Sequence, residues 1–289
     1  VQKGNIDVAA RSLSATDIES LAKESSLTVH KGPGGEIRYI VFNFDTQPFG
    51  TKTATPDAKK ALAVRQAVAD LIDRQAISDQ VYKGTYAPLY SYVPTGIPGA
   101  VTPLKDLYGK DGGPDADAAK AVFAAAGITA PVTLNLQWTP AHYGPSSGDE
   151  YALIKSQLEA SGLFKVNLQS TEWTTYSKER TADAFPAYQL GWFPDYSDAD
   201  NWLTPFFLQG GFLGNHYDNA AVDTLIKAQG VETDATKRQQ DIEAIQLAVA
   251  KDLSTVPLLQ GSQVVVSGKN VKGVILDPSF KLRFASLTK

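Results

Sequence analysis

DADAAKAVFAAAGITAPVTLNLQWTPAHYGPSSGDEYALIKSQLEASGLFKVNLQ, residues 115–169, changes its hydrophobic period three times within one stretch. Asp115 or Asp117 caps an alanine-rich run that reaches Ala126, and Gly127 stops it, which predicts a helix. Residues 132–138 then alternate, with Val132, Leu134, Leu136 and Trp138 on one face and Thr133, Asn135 and Gln137 on the other. That pattern predicts a half-buried strand. A second helix is predicted over 149–160 with Gly162 behind it, followed by a short strand carrying Val166 and Leu168. Helix, strand, helix, strand in succession points to an α/β fold whose sheet is covered on both sides.

The flanks extend the pattern. Val64, Val68, Leu71 and Ile72 recur at helical spacing, predicting one amphipathic helix over 57–80 that ends near Lys83-Gly84. The Gly/Pro-rich segment 94–114 reads as a loop. Further on, 188–192 is an apolar run of strand type, and helices are predicted over 219–229 and 236–253. The two ends differ from the middle. GEIRYIVFNF at 35–44 and TVPLLQGSQVVVSGKNVKGVIL at 255–276 are strand-rich, without long helical patterns, and are expected to belong together.

Composition narrows the function. The 289 residues, 43% hydrophobic and 20% charged, suffice for a packed core. A net charge of −4, with lysines and arginines scattered, offers no footprint for a phosphate backbone, so no nucleic-acid partner is expected. No run approaches the roughly 18–20 apolar residues of a membrane helix. Cysteine is absent, which excludes disulfides, thiolate metal sites and cysteine nucleophiles. Methionine is absent too, and VQKGNIDVAA lacks the features of a signal peptide. The chain is expected to begin partway through a longer protein, with any signal peptide or lipid anchor upstream.

Eight strings occur in an order that resembles one known family: KGNIDVA (3–9), IRYIVFNF (37–44), VRQAVADLIDRQAI (64–77), DADAAKAVFAAAG (115–127), EWTTYSKER (172–180), GWFPDYSDADNWL (191–203), YDNAAVDTLI (217–226) and VPLL (256–259). The chain resembles the extracellular solute-binding proteins of family 5, the oligopeptide-, dipeptide- and nickel-binding components of ABC importers. The resemblance implies a two-lobed, periplasmic-binding-protein-like α/β fold of type II, with one lobe complete and the other only partly present. Residues 1–45 and 256–289 would belong to the partial first lobe and 46–255 to the second, ligand-binding lobe. It also implies an extracellular, periplasmic or surface-anchored protein that passes a short peptide to membrane permease subunits. Neither catalysis nor a cofactor is implied.

A binder that accepts many peptides must grip their ammonium and carboxylate groups and their backbone amides. The resemblance puts Asp195, inside GWFPDY, where peptide-binding members hold the ligand's ammonium group. Arg180 falls where oligopeptide-binding members present an arginine able to pair with a carboxylate, and Trp173 could wall a side-chain pocket. Gln189 occupies the place of a second arginine in some members, so an identical carboxylate clamp is not expected. Trp192 and Tyr196 flank the aspartate as packing, ligand wall or both. Tryptophans at 138, 173, 192 and 202 leave oligosaccharide as an alternative ligand, and the family also includes binders of nickel complexes.

An enzyme reading rests on Gly144-Pro145-Ser146-Ser147-Gly148, which matches G-x-S-x-G, with Asp195 and His216 downstream in the order of a serine esterase. Five residues separate the strand from that glycine, and Ser147 or Asp149 reads better as a helix N-cap. His30, His142 and His216 lack the spacing of a ligand face, so no metal site is expected. GPGGE at 32–36 and GGFLG at 210–214 lack the features of phosphate loops and read as turns.

Overall fold

The computed structural model describes residues 1–10, 13–278 and 282–289. The chain opens with β1 (Val8–Ala10), α1 (Ala15–Leu21) and the long strand β2 (Leu27–Phe42). Ser14 starts α1 through a reciprocal capping box with Asp17. The predicted helix over 57–80 is two helices, α2 (Ala58–Leu71) and α3 (Arg74–Gln80). The break has a local cause: Ile72 is extended, and Asp73 caps α3 by accepting a hydrogen bond from the Ala76 amide at 2.8 Å. After β3 (Tyr86–Pro88), the segment read as a loop contains α4 (Pro103–Leu107), which has proline at its first turn, where a missing amide costs nothing.

The deciding stretch folds as α5 (Ala116–Ala125), β4 (Val132–Trp138), α6 (Ser147–Ala160) and β5 (Phe164–Ser170). Asp115, rather than Asp117, caps α5, accepting from the amides of Asp117 and Ala118. Gly127 follows at φ 63°, a left-handed position that suits glycine. Helix α6 starts two residues before the predicted 149, and neither Ser147 nor Asp149 is its N-cap: that position is Ser146, whose side chain makes no capping bond, while Ser147 is buried inside the first turn and accepts from the Gln189 amide. The remaining elements are α7 (Trp173–Thr181), β6 (Ala187–Trp192), α8 (Thr204–Phe207), α9 (Ala220–Gln229), α10 (Ala235–Asp252) and β7 (Thr255–Gly268).

One mixed sheet runs in the order β1-β7-β2-β6-β4-β5, with β3 also on β7. Strands β4 and β5 are parallel in register from Val132 opposite Phe164 to Trp138 opposite Ser170. The strand-rich ends meet as expected: β2 and β7 are antiparallel from Leu27 opposite Gly268 to Val41 opposite Thr255, with a register shift between Pro33 and Ile37. Beyond that shift, Ile37 to Phe42 pairs with β6 as well. Leu134, Leu136, Val41, Phe42 and Leu190 on the strands are buried in one core with Val64 and Val68 of α2 and Ile154 and Leu158 of α6. Each such side chain contributes about 1.5–3 kcal/mol relative to exposure. The predicted alternation of β4 fails at Gln137, which is buried with its amide donating to Thr171 Oγ1.

Candidate functional site

Strand β6 ends at Trp192, paired with Ile37 just past the register shift of β2, and the chain there turns into the GWFPDY segment. Gly35 sits against this turn. A Cβ at Gly35 would lie 2.6 Å from Pro194 Cγ and 2.2 Å from the Pro278 carbonyl oxygen, so only glycine lets the segments approach this closely. The Trp202 indole donates to the Gly35 carbonyl at 3.1 Å. Buried Asn201 accepts both the Trp192 indole N–H (2.9 Å) and the backbone amide of Asp195 (3.0 Å). Asp198 caps the next turn and forms a bidentate pair with Arg238 of α10, which holds its carboxyl below the usual range. The backbone of Asp195 is thereby held at both sides while the residue itself is exposed.

Phe193 and Pro194 line a cleft of about 1080 Å³, together with His142 and Tyr143 of the loop before α6 and Glu36 and Arg38 of β2. The floor is a buried ionic cluster. The Arg38 guanidinium pairs with Glu36 (3.1 Å) and Glu150 (3.5 Å), donates to the Tyr143 carbonyl, and lies 5.2, 4.9 and 5.9 Å from the ring centres of Tyr82, Tyr86 and Tyr143. The hydroxyl of Tyr86 donates to Glu36 (2.8 Å) and that of Tyr82 to Glu150 (2.8 Å). Burial pushes the Glu150 carboxyl up, with Arg38 opposing, and burial pushes Tyr143 up to about 12. Nothing in the sequence reading picked out this cluster. The available signal was a charged residue, Arg38, inside the otherwise apolar strand IRYIVFNF.

The expected ligand residues divide between surface and interior. Trp173, half-buried at the start of α7, stacks on the cleft residue His142 with centroids 3.5 Å apart and planes 4° apart. Arg180 is buried in the last turn of α7, with its guanidinium 4.5 Å from the Phe212 ring centre and Nη1 donating to the Leu213 carbonyl at 3.3 Å. Among the described residues the Nε of Arg180 lacks a hydrogen-bond partner. Trp192 meets the same Phe212 ring at 5.6 Å, so Arg180 and Trp192 are brought to one place. Gln189 is buried with its amide engaged inside the molecule, accepting from Thr139 N at 3.0 Å and donating to Ser147 Oγ at 3.1 Å. Tyr196 is exposed and donates to Asp200 at 3.1 Å. Of the tryptophans, Trp202 is fully buried and Trp138 packs on Gly148.

The residues of the esterase reading are not brought together. Ser146 lines the cleft in an ordinary helical conformation, whereas His216 is engaged by Asp183 at 2.7 Å and Asp45 at 3.4 Å.

Residues 1–214 match the family model described as bacterial extracellular solute-binding proteins, family 5, middle. The chain belongs to that family. Its relatives among characterised proteins are solute-binding proteins rather than enzymes. The dipeptide-binding protein of Pseudomonas aeruginosa is 26% identical over 267 residues, which is 91% of this chain and 47% of that protein. The periplasmic oligopeptide-binding protein OppA of Escherichia coli is 26% identical over 265 residues, 89% of this chain and 45% of OppA. The family 5 chain thus spans about half the length of the curated relatives it matches. Solved structures agree on the fold. The dipeptide-binding protein of Pseudoalteromonas sp. SM9913 in complex with Met-Leu superposes with a TM-score of 0.78 at 24% identity, over 100% of this chain and 55% of that one. The murein tripeptide binding protein MppA of Escherichia coli gives 0.77 at 20%, over 99% and 54%. The architecture is therefore the two-lobed binding-protein fold with one lobe partly present. Among the described residues, no helix is long and apolar enough to cross a membrane.

Proposed function

We propose that this chain forms one wall of the ligand cleft of an extracellular or periplasmic binding protein that delivers short peptides to the permease subunits of an ABC importer. The observation that carries this reading is Asp195: an exposed residue whose backbone amide is fixed by Asn201 and which directly follows Phe193 and Pro194, two residues that line a cleft of about 1080 Å³. In this reading Asp195 accepts the peptide ammonium, Trp173 and Trp192 wall side-chain pockets, Tyr196 closes the rim and Gln189 braces β6 from inside. Buried Arg180 sets a positive charge behind Phe212 and Trp192 and attracts the ligand's carboxylate end. Residues 46–255, together with the halves of β2 and β7 that share their sheet and core, form the ligand-binding lobe. The rest of 1–45 and 256–289 belongs to a first lobe whose remainder comes from a longer polypeptide, with a lipid anchor or signal sequence upstream.

The test is native mass spectrometry of the full-length protein purified without denaturation. Co-purifying short peptides, released on denaturation and sequenced, are the expected result. A carbohydrate or a metal complex as the sole bound species would replace the peptide reading with one of the family's other ligand classes.

A further inference from the structure

The far end of β2 from the cleft carries a second cluster. Phe42, the last residue of β2, lies six residues past Glu36, about 20 Å along the strand. Just beyond it stands Asp45. The turn after α7 brings Asp183 to the same point, and the segment before α9 brings His216. One ligand atom from each of the three lies within 4.8 Å of the others, although 138 and 33 residues of chain separate them. We propose that Asp45, Asp183 and His216 form a binding site for a divalent transition-metal ion, with Lys52 occupying its place when the metal is absent.

Four features support this assignment. The donor set, two carboxylates and one imidazole, suits zinc and its neighbours rather than calcium, which prefers oxygen alone. The spacing is close to that of a metal's ligand shell: donors at 2.0–2.2 Å from a tetrahedral ion stand about 3.4 Å apart. His216 Nε2 is 3.4 Å from Asp45 Oδ2 and 2.7 Å from Asp183 Oδ1, so the shell forms by opening the Asp183 contact by under about 1 Å while the two carboxylates, whose ligand atoms lie within 4.8 Å, settle to the same spacing. Both carboxylates are oriented by neighbours: the Thr51 hydroxyl donates to Asp45 Oδ1, leaving Oδ2 toward His216, and the Asn43 amide donates at 2.8 Å to Asp183 Oδ1, the oxygen that also meets His216, as outer partners orient metal ligands. Lastly, a cation already sits between the carboxylates: the Lys52 ammonium is 2.7 Å from Asp45 and 3.9 Å from Asp183. That side chain is 64% exposed on a flexible stem and can swing into water when a doubly charged ion arrives. A bound ion would tie the end of β2 to the segments after α7 and before α9, acting as a clamp remote from the cleft.

The test uses the full-length protein, stripped of metal with a chelator and titrated calorimetrically with Zn²⁺ alone and, separately, with Ca²⁺. Zn²⁺ is expected to bind one site and raise the thermal midpoint by a few degrees at about a hundredfold excess over Kd. His216→Ala and Asp183→Asn should each weaken Zn²⁺ binding by at least about tenfold. Lys52→Met should tighten it, because the competing ammonium is gone, and this change is opposite to what loss of a purely structural salt bridge would do. Folding of each metal-free variant is checked by circular dichroism. Three results would each overturn the proposal: no Zn²⁺ binding in either wild type or Lys52→Met, Zn²⁺ binding unaltered in His216→Ala, or Ca²⁺ binding as tight as Zn²⁺.

Discussion

Asp70 is a buried carboxyl on α2 whose Oδ1 accepts the Gly109 amide at 2.8 Å. Burial raises its pKa to about 6; the Gly109 hydrogen bond opposes the rise and nearby Asp115 adds to it. An unfolded Asp titrates near 3.9, so between about pH 4 and 6 the folded state holds the proton more tightly than the unfolded one. Ionised Asp70 therefore costs stability, and the cost grows as pH rises through that window. Asp70→Asn keeps the acceptor oxygen and removes the charge, so its stability relative to wild type should increase from pH 4 to pH 6 in paired denaturant titrations; a pH-independent difference would contradict the assignment. At this scale the sequence was only partly legible. The strings around Asp195 and Trp173 drew attention to segments next to the cleft: Asp195 follows the lining residues Phe193 and Pro194, and Trp173 stacks on the lining residue His142. The fate of Gln189 was not readable, because its partners Thr139 and Ser147 lie 50 and 42 residues away. The same holds for His216, whose neighbours come from two distant turns.

The element scale was more legible, since periodicity is local while pairing is not. The stretch 115–169 folds into the four elements its pattern predicts, and the two strand-rich ends pair with each other. The errors have local chemistry behind them. Apolar spacing continues unbroken across 57–80, but Asp73 offers its side chain to the Ala76 amide and so starts a new helix, with its own amide donating to Gln157 of α6. The Gly/Pro-rich segment 94–114 reads as a loop, yet its Pro103 starts the short helix α4. Asp73→Ala removes the cap and should cost about 0.5–2 kcal/mol of stability, read from denaturant midpoints at constant m-value. Asp73→Ser should restore most of it. A loss below about 0.3 kcal/mol for Asp73→Ala would mean that the contact with α6, and not the cap, sets the break.

For the whole molecule, the sheet makes the two ends of the chain inseparable from its middle, because β2 and β7 pair along almost their entire length and β2 continues onto β6. The register shift between Pro33 and Ile37 divides that ladder near the cleft, where Glu36 and Arg38 stand. A binding protein that closes two walls on a ligand loses most of its affinity when one wall is missing. The 289-residue chain alone is therefore expected to bind peptides far more weakly than the full-length protein; equal affinities by calorimetry would place the entire site within this chain. The most direct test of the central claim is a calorimetric titration of free and N-acetylated peptides against full-length wild type, Asp195→Asn and Asp195→Ala, with folding checked by thermal melts. Leaving the peptide ammonium unpaired in a closed cleft costs about 3–5 kcal/mol, so Asp195→Ala should lose about two to four orders of magnitude in affinity for free peptides, with Asp195→Asn between it and wild type. Acetylated peptides should bind wild type poorly and distinguish little among the variants. Binding of free peptides by Asp195→Ala within about threefold of wild type would contradict the account and put the ammonium anchor elsewhere.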